Sequence, residues 1–310
     1  MSSIQRYLLA PRMPSTAAGF VDDNFAVVYL RRERSGFALA SSAVTQLPPG
    51  LVTPAFNGTN IQDTGELFEI IQHTAEAAGL SKKRQWSVAL PEGAARTIVI
   101  TLESKPESRS ELNEVISWKI ERVIATASSD LRISRQRISP VAGQERFIVT
   151  VAHKDVLAEY ESVFSAAGWN TGLMLPRHMG EAQWLMWDSS PGDKMLISAN
   201  RSGFTSLVVR KGEPILVRTY SCDPESRADE LHRFALYYND KLTGGATADL
   251  TGMLVLGGID LTDARQAISD ATHSEPRPLD PSEFGFDLSG EQIHFDQLAG
   301  AAGLATIAWQ

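Results

Sequence analysis

The chain has 310 residues, a formal net charge of −8, and 43% apolar and 21% charged residues, which is ordinary for a soluble globular protein with room for two compact units. The acidic balance argues against nucleic-acid binding as the main role, because phosphate contacts need a clustered positive surface. The single cysteine, Cys222, excludes an intrachain disulfide framework, and the six histidines lack metal-ligand spacing.

The N-terminal part of the chain predicts a leader followed by a first α/β unit. Residues 1–17 have no pattern, and their apolar run is too short for a signal peptide. No apolar run approaches the roughly 20 residues that span a bilayer, so we expect a soluble protein that could still dock on a membrane complex. The predicted elements that follow are a hairpin (25–30 and 36–40), an amphipathic helix (64–78) and a buried strand (86–90).

A new series of predicted elements begins near Arg96. Ser108 and Glu111 have the spacing of a capping box, which predicts the start of a long amphipathic helix. The predicted elements form a β-α-β-β-α-β series: strand 97–102, helix from 108, strands 131–139 and 145–152, helix 154–167, and strand 169–173. This order predicts a small α+β subdomain with its own core.

Three short runs rich in β-branched residues, 195–199, 204–210 and 214–220, predict a three-stranded meander after a short helix at 179–187. The turn at 200–203 is the kind that presents several backbone N–H groups together, as anion-binding turns do. The predicted elements after the meander are a helix (225–240), a glycine-rich loop (244–252), a buried strand (253–256) ending at Gly257 and Gly258, a helix (261–271), a loop (272–286) and a terminal helix (295–303).

Four segments carry a resemblance to a known family. They are residues 88–91 with ARTIVI at 95–100, EVISWKIERVI at 114–124, the strand-helix-strand at 147–175, and FDQLAGAAGLAT at 295–306. With these segments in this order, the chain resembles, over most of its length, the PilM family of type IV pilus assembly proteins, which have an actin-like ATPase fold.

The resemblance implies an α/β, duplicated, actin-like (ribonuclease H-like) fold with two lobes around a nucleotide cleft and an inserted α+β subdomain. The expected boundaries are 1–95 for the first lobe, completed by 173–193 and 286–310, then 96–172 for the inserted subdomain and 194–285 for the second lobe.

The resemblance also implies a cytoplasmic protein, peripheral to the inner membrane, in the type IV pilus assembly platform. It would bind the N-terminal cytoplasmic tail of PilN and communicate with PilO and the assembly motor, without nucleic acid. The family points to the junction of the inserted subdomain and the first lobe for the partner groove. Trp118 and Arg122 are candidate lining residues, although a tryptophan on an amphipathic helix is more often a core residue.

Three motifs handle nucleotide in the actin-like family, and all three are altered here. The first hairpin has Asp22 and Asp23 but no glycine after them. Ser198 and Asn200 occupy the Asp and Gly positions of the second hairpin; Ser198 cannot supply an anionic oxygen to Mg²⁺. The third motif, a Gly-Gly pair after a buried strand that receives the adenosine, survives as Gly257 and Gly258, with Ile259 next. If a nucleotide is retained, the candidate binding residues are Asp22, Asp23, Asn200, Arg201, Ser202, Gly203, Gly257 and Gly258.

Three hypotheses follow. The first is a non-catalytic scaffold with a degenerate cleft and no resident metal. The second is an active ATPase or sugar-kinase-like phosphotransferase that uses ATP and Mg²⁺, with Asp22 or Asp23 as the acid. The third is a GspL-like type II secretion platform protein of the same fold; that protein continues into a membrane-spanning helix, so the pilus protein is preferred.

Overall fold

A computed structural model describes residues 13–34, 36–141, 143–242, 249–286, 288 and 293–310. Most of the predicted leader (1–12) and most of the predicted glycine-rich loop (244–248) lie outside the described residues. The described strands are β1 (Thr16–Val21), β2 (Asn24–Arg32), β3 (Phe37–Gln46), β4 (Gln85–Leu90), β5 (Ala95–Thr101), β6 (Leu131–Val141), β7 (Gln144–His153), β8 (Asn170–Pro176), β9 (Asp193–Asn200), β10 (Gly203–Arg210), β11 (Glu213–Ser221), β12 (Leu250–Leu256) and β13 (Arg277–Pro278).

The described α-helices are α1 (Thr64–Ala77), α2 (Arg109–Ile124), α3 (Lys154–Ala166), α4 (Arg177–Trp187), α5 (Arg227–Leu242), α6 (Leu261–Thr272) and α7 (Phe295–Thr306). No helix in the described part of the chain is both long enough and apolar enough to cross a membrane.

The first sheet has the strand order β3-β2-β1-β4-β8. β1, β2 and β3 pair antiparallel, and β4 and β8 continue the sheet in parallel. β1 begins at Thr16, so the end of the predicted leader is part of the sheet. The run Ala17, Ala18 and Gly19 has neither polar alternation nor β-branched residues, which is why its strand character is hard to see in the sequence.

The second sheet repeats this topology with the order β11-β10-β9-β12-β13. β9, β10 and β11 are the predicted meander and pair antiparallel, whereas β12 and β13 are parallel to β9. The loop predicted for 272–286 contains the short strand β13 and a 3₁₀ helix, Pro281–Phe284. Two sheets with one strand order indicate a duplicated α/β unit.

The helices form three layers around the two sheets. α1 and α3 cover the outer face of the first sheet, and α5 and α6 cover the outer face of the second. α4 and α7 lie between the sheets, in one apolar core with the inner faces of both. The ends of β1 and β9, and the turns that follow them, therefore face each other across this central layer.

The third sheet, β5-β7-β6, carries α2 on one face and has its own core. Ile116, Ile120 and Ile124 form the buried stripe of α2. Of the predicted capping box, one half forms: the Ser108 hydroxyl accepts from the Glu111 N–H at 3.1 Å, while the Glu111 carboxylate accepts from the Glu107 N–H.

Two elements of the predicted range 96–172 belong to the first sheet. β8 pairs with β4, and α3 packs in the core that covers the outer face of that sheet. We propose that the inserted unit consists of the elements from β5 to β7.

Candidate functional site

Two hairpin turns meet at the cleft between the sheets. The turn between β1 and β2 contains Asp22 and Asp23, and the turn between β9 and β10 contains Arg201 and Ser202. The Arg201 N–H donates to Asp22 Oδ1 at 3.2 Å, and Arg201 Nη1 lies 2.5 Å from Asp23 Oδ2. The structure therefore brings the predicted residues of the first and second motifs into direct contact, across 179 positions of sequence.

The second turn uses its donors within the protein. Asn200 Oδ1 accepts from the Ser202 N–H at 2.8 Å and from the Ser202 hydroxyl at 2.9 Å, an arrangement that asparagine favours in tight turns. The neighbouring Arg201 N–H is directed at Asp22. Two of the backbone donors predicted to hold a phosphate thus already have oxygen acceptors.

The third motif, Gly257 and Gly258, follows β12. Gly257 has φ +84°, and a Cβ there would lie 2.5 Å from the Ala199 carbonyl oxygen, so this position requires glycine. Its N–H donates to Asp296 Oδ2 at 2.8 Å. Arg227, which is buried, donates to the carbonyl oxygens of Gly258 (2.7 Å) and Asn200 (2.5 Å). This arginine joins the third motif to the second.

Arg177, at the start of α4, has no counterpart among the predicted site residues. It is 2% exposed, and its Nη2 donates to Ser198 Oγ at 2.8 Å and to the Ala199 carbonyl oxygen at 2.5 Å. Its Nε lies 2.9 Å from Glu181 Oε1. A protein guanidinium therefore occupies the neighbourhood of Ser198, the position where the family motif has an aspartate.

Burial and neighbouring charge shift the pKa values of Arg177 and Glu181 in opposite directions. Burial lowers the pKa of Arg177, but the nearby carboxylates, Glu181 above all, raise it overall, so the cation is retained. Burial raises the pKa of Glu181 despite the opposing effect of Arg177. The i, i+4 spacing of Arg177 and Glu181 is the only sequence signal for the pair. The sequence does not predict this pair, because the predicted helix begins at 179 and so leaves out Arg177.

A second polar cluster ties the cleft to the inserted sheet. Glu92 Oε1 accepts from the His178 N–H at 2.9 Å and lies 2.8 Å from His178 Nδ1, while His178 Nε2 is 2.8 Å from Thr97 Oγ1. The Thr205 hydroxyl donates to Glu92 Oε2 at 3.2 Å. Burial raises the pKa of Glu92, but the charge and hydrogen bonds of His178, with a further contribution from Arg177, lower it to about 2.

A cavity of about 310 Å³ remains at this meeting point. The described residues that line it are Asp22, Asp23, Gly50, Val52, Thr53, Pro54, Pro91, Glu92, Arg177, Asn200, Arg201 and Ser202. Five of the eight predicted nucleotide residues are therefore in the lining, and Gly203, Gly257 and Gly258 are outside it. Within the described residues, no group of three or more His, Cys, Asp or Glu side chains is arranged to hold a metal ion.

The two predicted partner residues lie elsewhere. Trp118 is 55% exposed on α2, and the Arg122 guanidinium carbon is 5.5 Å from the centroid of its ring. Trp118 is therefore not a core residue. Neither side chain lines any of the described cavities.

The junction of the inserted sheet with the first lobe contains a groove of about 800 Å³. We call it the junction groove. Its apolar lining comes from β7, β8, α4 and the C-terminal residues: Ile148, Leu173, Leu175, Met179, Met186, Trp187, Ile307 and Trp309. No single stretch of sequence marks this groove, because its lining residues come from several elements that are far apart in the sequence.

The repeated strand order and the cleft between paired hairpin turns define the class: the chain has the actin-like ATPase fold, a duplicated α/β fold, here with an inserted three-stranded sheet. Among solved structures, it is similar over its whole length to a PilM–PilN type IV pilus biogenesis complex, with 16% identity, a TM-score of 0.73, and coverage of 97% of this chain and 100% of that one. At this identity the likeness shows the fold.

Two further solved structures are less similar. The cytoplasmic domain of EpsL, an inner-membrane component of the type II secretion system of Vibrio cholerae, has 13% identity, a TM-score of 0.49, and coverage of 94% of this chain and 93% of that one. A Bacteroides thetaiotaomicron protein with an actin-like ATPase fold has 11% identity, a TM-score of 0.49 and coverage of 99% of both chains. No protein-family model and no curated protein sequence matches the chain.

Proposed function

We propose that this protein is a PilM-type cytoplasmic scaffold of the type IV pilus inner-membrane platform. In this role it binds the N-terminal tail of a PilN-type partner, is peripheral to the inner membrane through that partner, and reaches PilO and the assembly motor indirectly. The observation that carries the proposal is the match to the PilM–PilN complex structure over the whole chain at a TM-score of 0.73.

The contacts in the cleft favour a scaffold over an ATPase. Phosphoryl transfer depends on positioning and on Mg²⁺-assisted electrostatics. Here the position of the Mg²⁺-shell aspartate is Ser198, which accepts from Arg177, and Asp23 is paired with Arg201. A guanidinium at that place opposes a divalent cation by charge. We infer that the residues present do not fit Mg²⁺–ATP and that the cleft serves as a fixed frame between the lobes.

We expect ATP with Mg²⁺ to leave the melting temperature unchanged and turnover at the level of the buffer blank. A ligand at a hundred times its Kd would add about 2.7 kcal/mol to the free energy of unfolding, which a thermal shift assay detects readily. The measurement is melting with and without millimolar ATP and Mg²⁺, alongside phosphate release. Mg²⁺-dependent hydrolysis by the purified protein would favour the ATPase hypothesis instead.

The junction groove is the surface that we assign to the partner tail. A short peptide binds most tightly to a concave apolar surface, because burial of apolar area drives binding and a groove covers more of the peptide than a flat face does. At about 800 Å³ the junction groove has the largest volume among the described cavities. It also lies where the inserted sheet meets the first lobe, whereas Trp118 and Arg122 lie on the outer face of α2.

Substitutions in the junction groove should weaken the binding of a synthetic PilN-type tail by about tenfold or more, equivalent to about 1.4 kcal/mol. Leu173→Glu places a carboxylate in the apolar lining, and Ser134→Trp fills the groove from an exposed position of its rim. Binding is measured by fluorescence anisotropy of the labelled peptide, with a melting curve for each variant.

Trp118→Ala is the matched control, because it removes an exposed aromatic side chain from the same inserted unit. We expect it to change tail affinity less than twofold. If Trp118→Ala abolishes binding while both groove variants bind normally, the tail lies on the outer face of α2 and the assignment to the junction groove is wrong.

A further inference from the structure

A cavity of about 420 Å³, which we call the base pocket, lies at the opposite end of the central layer from the cleft. α4 begins at the cleft with Arg177 and ends at the base pocket with Trp187, and its 11 residues span about 16 Å. The lining comes from three segments that are far apart in the sequence: residues within 32–37 at the β2–β3 turn, 187–190 after α4, and residues within 277–284, from β13 through the 3₁₀ helix. Both sheets therefore contribute to the base pocket.

Backbone contacts hold the walls of the base pocket together. The Glu33 N–H donates to the Gly36 carbonyl oxygen at 3.0 Å and closes the β2–β3 turn. The Phe37 N–H donates to the Gly285 carbonyl oxygen at 3.1 Å, which joins the start of β3 to the end of the 3₁₀ helix. Gly36 and Gly285 are so close that a Cβ at Gly36 would lie 2.6 Å from the Gly285 Cα. The side chains of the lining are therefore presented from a connected backbone frame.

Arg32 is held in the base pocket by aromatic rings rather than by a carboxylate. Its guanidinium carbon is 4.6 Å from the Phe37 ring centroid and 4.9 Å from the Trp187 ring centroid. Stacking uses the face of a guanidinium, whereas its N–H donors lie in its plane. In the described part of the chain, no carboxylate lies within 4.0 Å of the side-chain nitrogens of Arg32 or Arg34. Glu33, between the two arginines, is exposed and does not line the pocket.

The two carboxylates in the lining already have partners in the protein. Asp188 accepts from the Ser190 N–H and from the Ser190 hydroxyl, both at 2.8 Å, and lies 3.7 Å from Lys194 Nζ. Glu283 is paired with Arg277, which also lines the base pocket. Each carboxylate is thus matched by a cation, and the two arginines of the β2–β3 hairpin are the uncompensated charges of the pocket.

We propose that the base pocket binds the phosphate group of a phosphate ester between Arg32 and Arg34. Guanidinium groups match the geometry of phosphate oxygens and donate to them in pairs. A phosphate ester carries up to two negative charges, which suits two uncompensated cations better than a single carboxylate does. The cavity of about 420 Å³ is larger than a bare phosphate needs and is within the range of about 300–1,000 Å³ of small-ligand sites.

The remainder of the ligand lies on the apolar wall of the base pocket, which Trp187, Leu279 and Phe284 form. Two kinds of compound present a phosphate group with such a body: a soluble phosphate ester, and the headgroup of an anionic phospholipid. Arg32 and Arg34 are both exposed, so a ligand from either source can reach them. The two sources are separate arms of the test.

The first arm is calorimetric titration of the full chain with glycerol 3-phosphate at low ionic strength. We expect saturable binding that weakens as salt is added, because exposed charges are screened. Arg32→Gln/Arg34→Gln should weaken this binding by about tenfold or more, since it removes both charge-assisted donors. Arg34→Gln alone, which removes no stacking contact, should weaken it by about threefold or more. A melting curve for each variant shows that it is folded.

The second arm is co-sedimentation with phosphatidylcholine vesicles that contain or lack phosphatidylglycerol. Binding to the phosphatidylglycerol vesicles that the double variant loses assigns the site to a lipid headgroup, whereas binding of glycerol 3-phosphate alone assigns it to a soluble ester. The matched control is Arg31→Gln/Arg109→Gln, the same charge change at two exposed positions outside the lining. It should retain binding in either arm within about twofold.

The proposal does not depend on the assignment of the partner tail. The base pocket and the junction groove share Trp187, which all these variants leave in place, so Arg32→Gln/Arg34→Gln should bind the PilN-type tail within about twofold of the wild type. Absence of binding in both arms would overturn the inference. Equal losses in the double variant and in the Arg31→Gln/Arg109→Gln control would overturn it as well, because the attraction would then come from net charge alone.

Discussion

Arg177→Leu is expected to lower the free energy of unfolding by about 3–5 kcal/mol, the cost of removing one partner from a buried ion pair. The substitution leaves Glu181, which is 0% exposed, without its cation, and it removes the donor to Ser198 Oγ and to the Ala199 carbonyl oxygen. Urea unfolding of wild type and variant, followed by circular dichroism, measures the difference.

A double-mutant cycle isolates the pair. Glu181→Leu alone leaves Arg177 with its two remaining acceptors, and the double variant Arg177→Leu/Glu181→Leu buries neither charge. We expect the double variant to be about 2 kcal/mol more stable than the sum of the two single effects predicts, since contacting charged residues couple by 0.5–3 kcal/mol. Simple additivity would mean that Arg177 acts through Ser198 and Ala199 alone.

The loss of unfolding free energy that Arg177→Leu causes should also grow with pH. Burial already raises the pKa of Glu181 above 4.5 in the wild type, and loss of the cation raises this pKa further. A carboxyl group whose folded-state pKa lies above its unfolded value loses stability as the pH rises from the unfolded value through the folded one. The difference in unfolding free energy between wild type and Arg177→Leu is therefore smallest below about pH 4 and largest near neutral pH. Urea titrations of both proteins at these two pH values measure it.

The hairpin turns show how far sequence reasoning reaches into this cleft. β-branched runs bounded by Asn, Ser and Gly are local signals, and β9, β10 and β11 lie within two residues of their predicted positions. Turns at the ends of equivalent strands converge once the sheet topology is known. The family resemblance names Asp22, Asp23 and Arg201 as candidate residues of one cleft, and in the structure the two turns that hold them are in contact.

The residues that complete the cleft could not be found in the same way. Arg177, Glu92 and Arg227 hydrogen-bond to partners 21 to 113 positions away. Apart from the i, i+4 spacing of Arg177 and Glu181, nothing in their local sequence distinguishes them from surface charges. Their role depends on burial, which follows from the packing of α4 and α5 against the second sheet. β1 was missed for a related reason: its small residues are selected by close packing against α7 rather than by strand propensity.

The partner surfaces illustrate the same limit. Trp118 is a candidate through the family resemblance, and it is exposed on a helix that contributes only Val123 to a described groove. The junction groove is assembled from residues of several elements, so its existence follows from the position of the inserted sheet. The choice between a pilus and a type II secretion platform stays a prediction.

Gly303→Ala should destabilise the protein by about 3 kcal/mol, toward the upper end for an added methyl group in a packed core. α4 and α7 cross through glycines, and a Cβ at Gly303 would overlap the carbonyl group of Gly180. The obstacle is backbone rather than a flexible side chain, so α7 must move away from α4, and α7 also packs on β1, β2 and β4. Thermal unfolding should show a Tm lower by about 6–12 °C, at about 2–4 °C per kcal/mol.

Gly172→Ala is the matched control, since Gly172 is exposed in β8 and a Cβ there meets no atom within 4 Å; its effect should stay within about 0.5 kcal/mol. Gly180→Ala adds a methyl group to the same helix contact from the side of α4, because its Cβ would overlap the carbonyl of Gly300. Once one methyl group has separated the two helices, there is room for the second. The two substitutions together should therefore lower the free energy of unfolding by less than the sum of their separate effects. If Gly303→Ala instead melts at the same temperature as the wild type, the two helices are not in close contact.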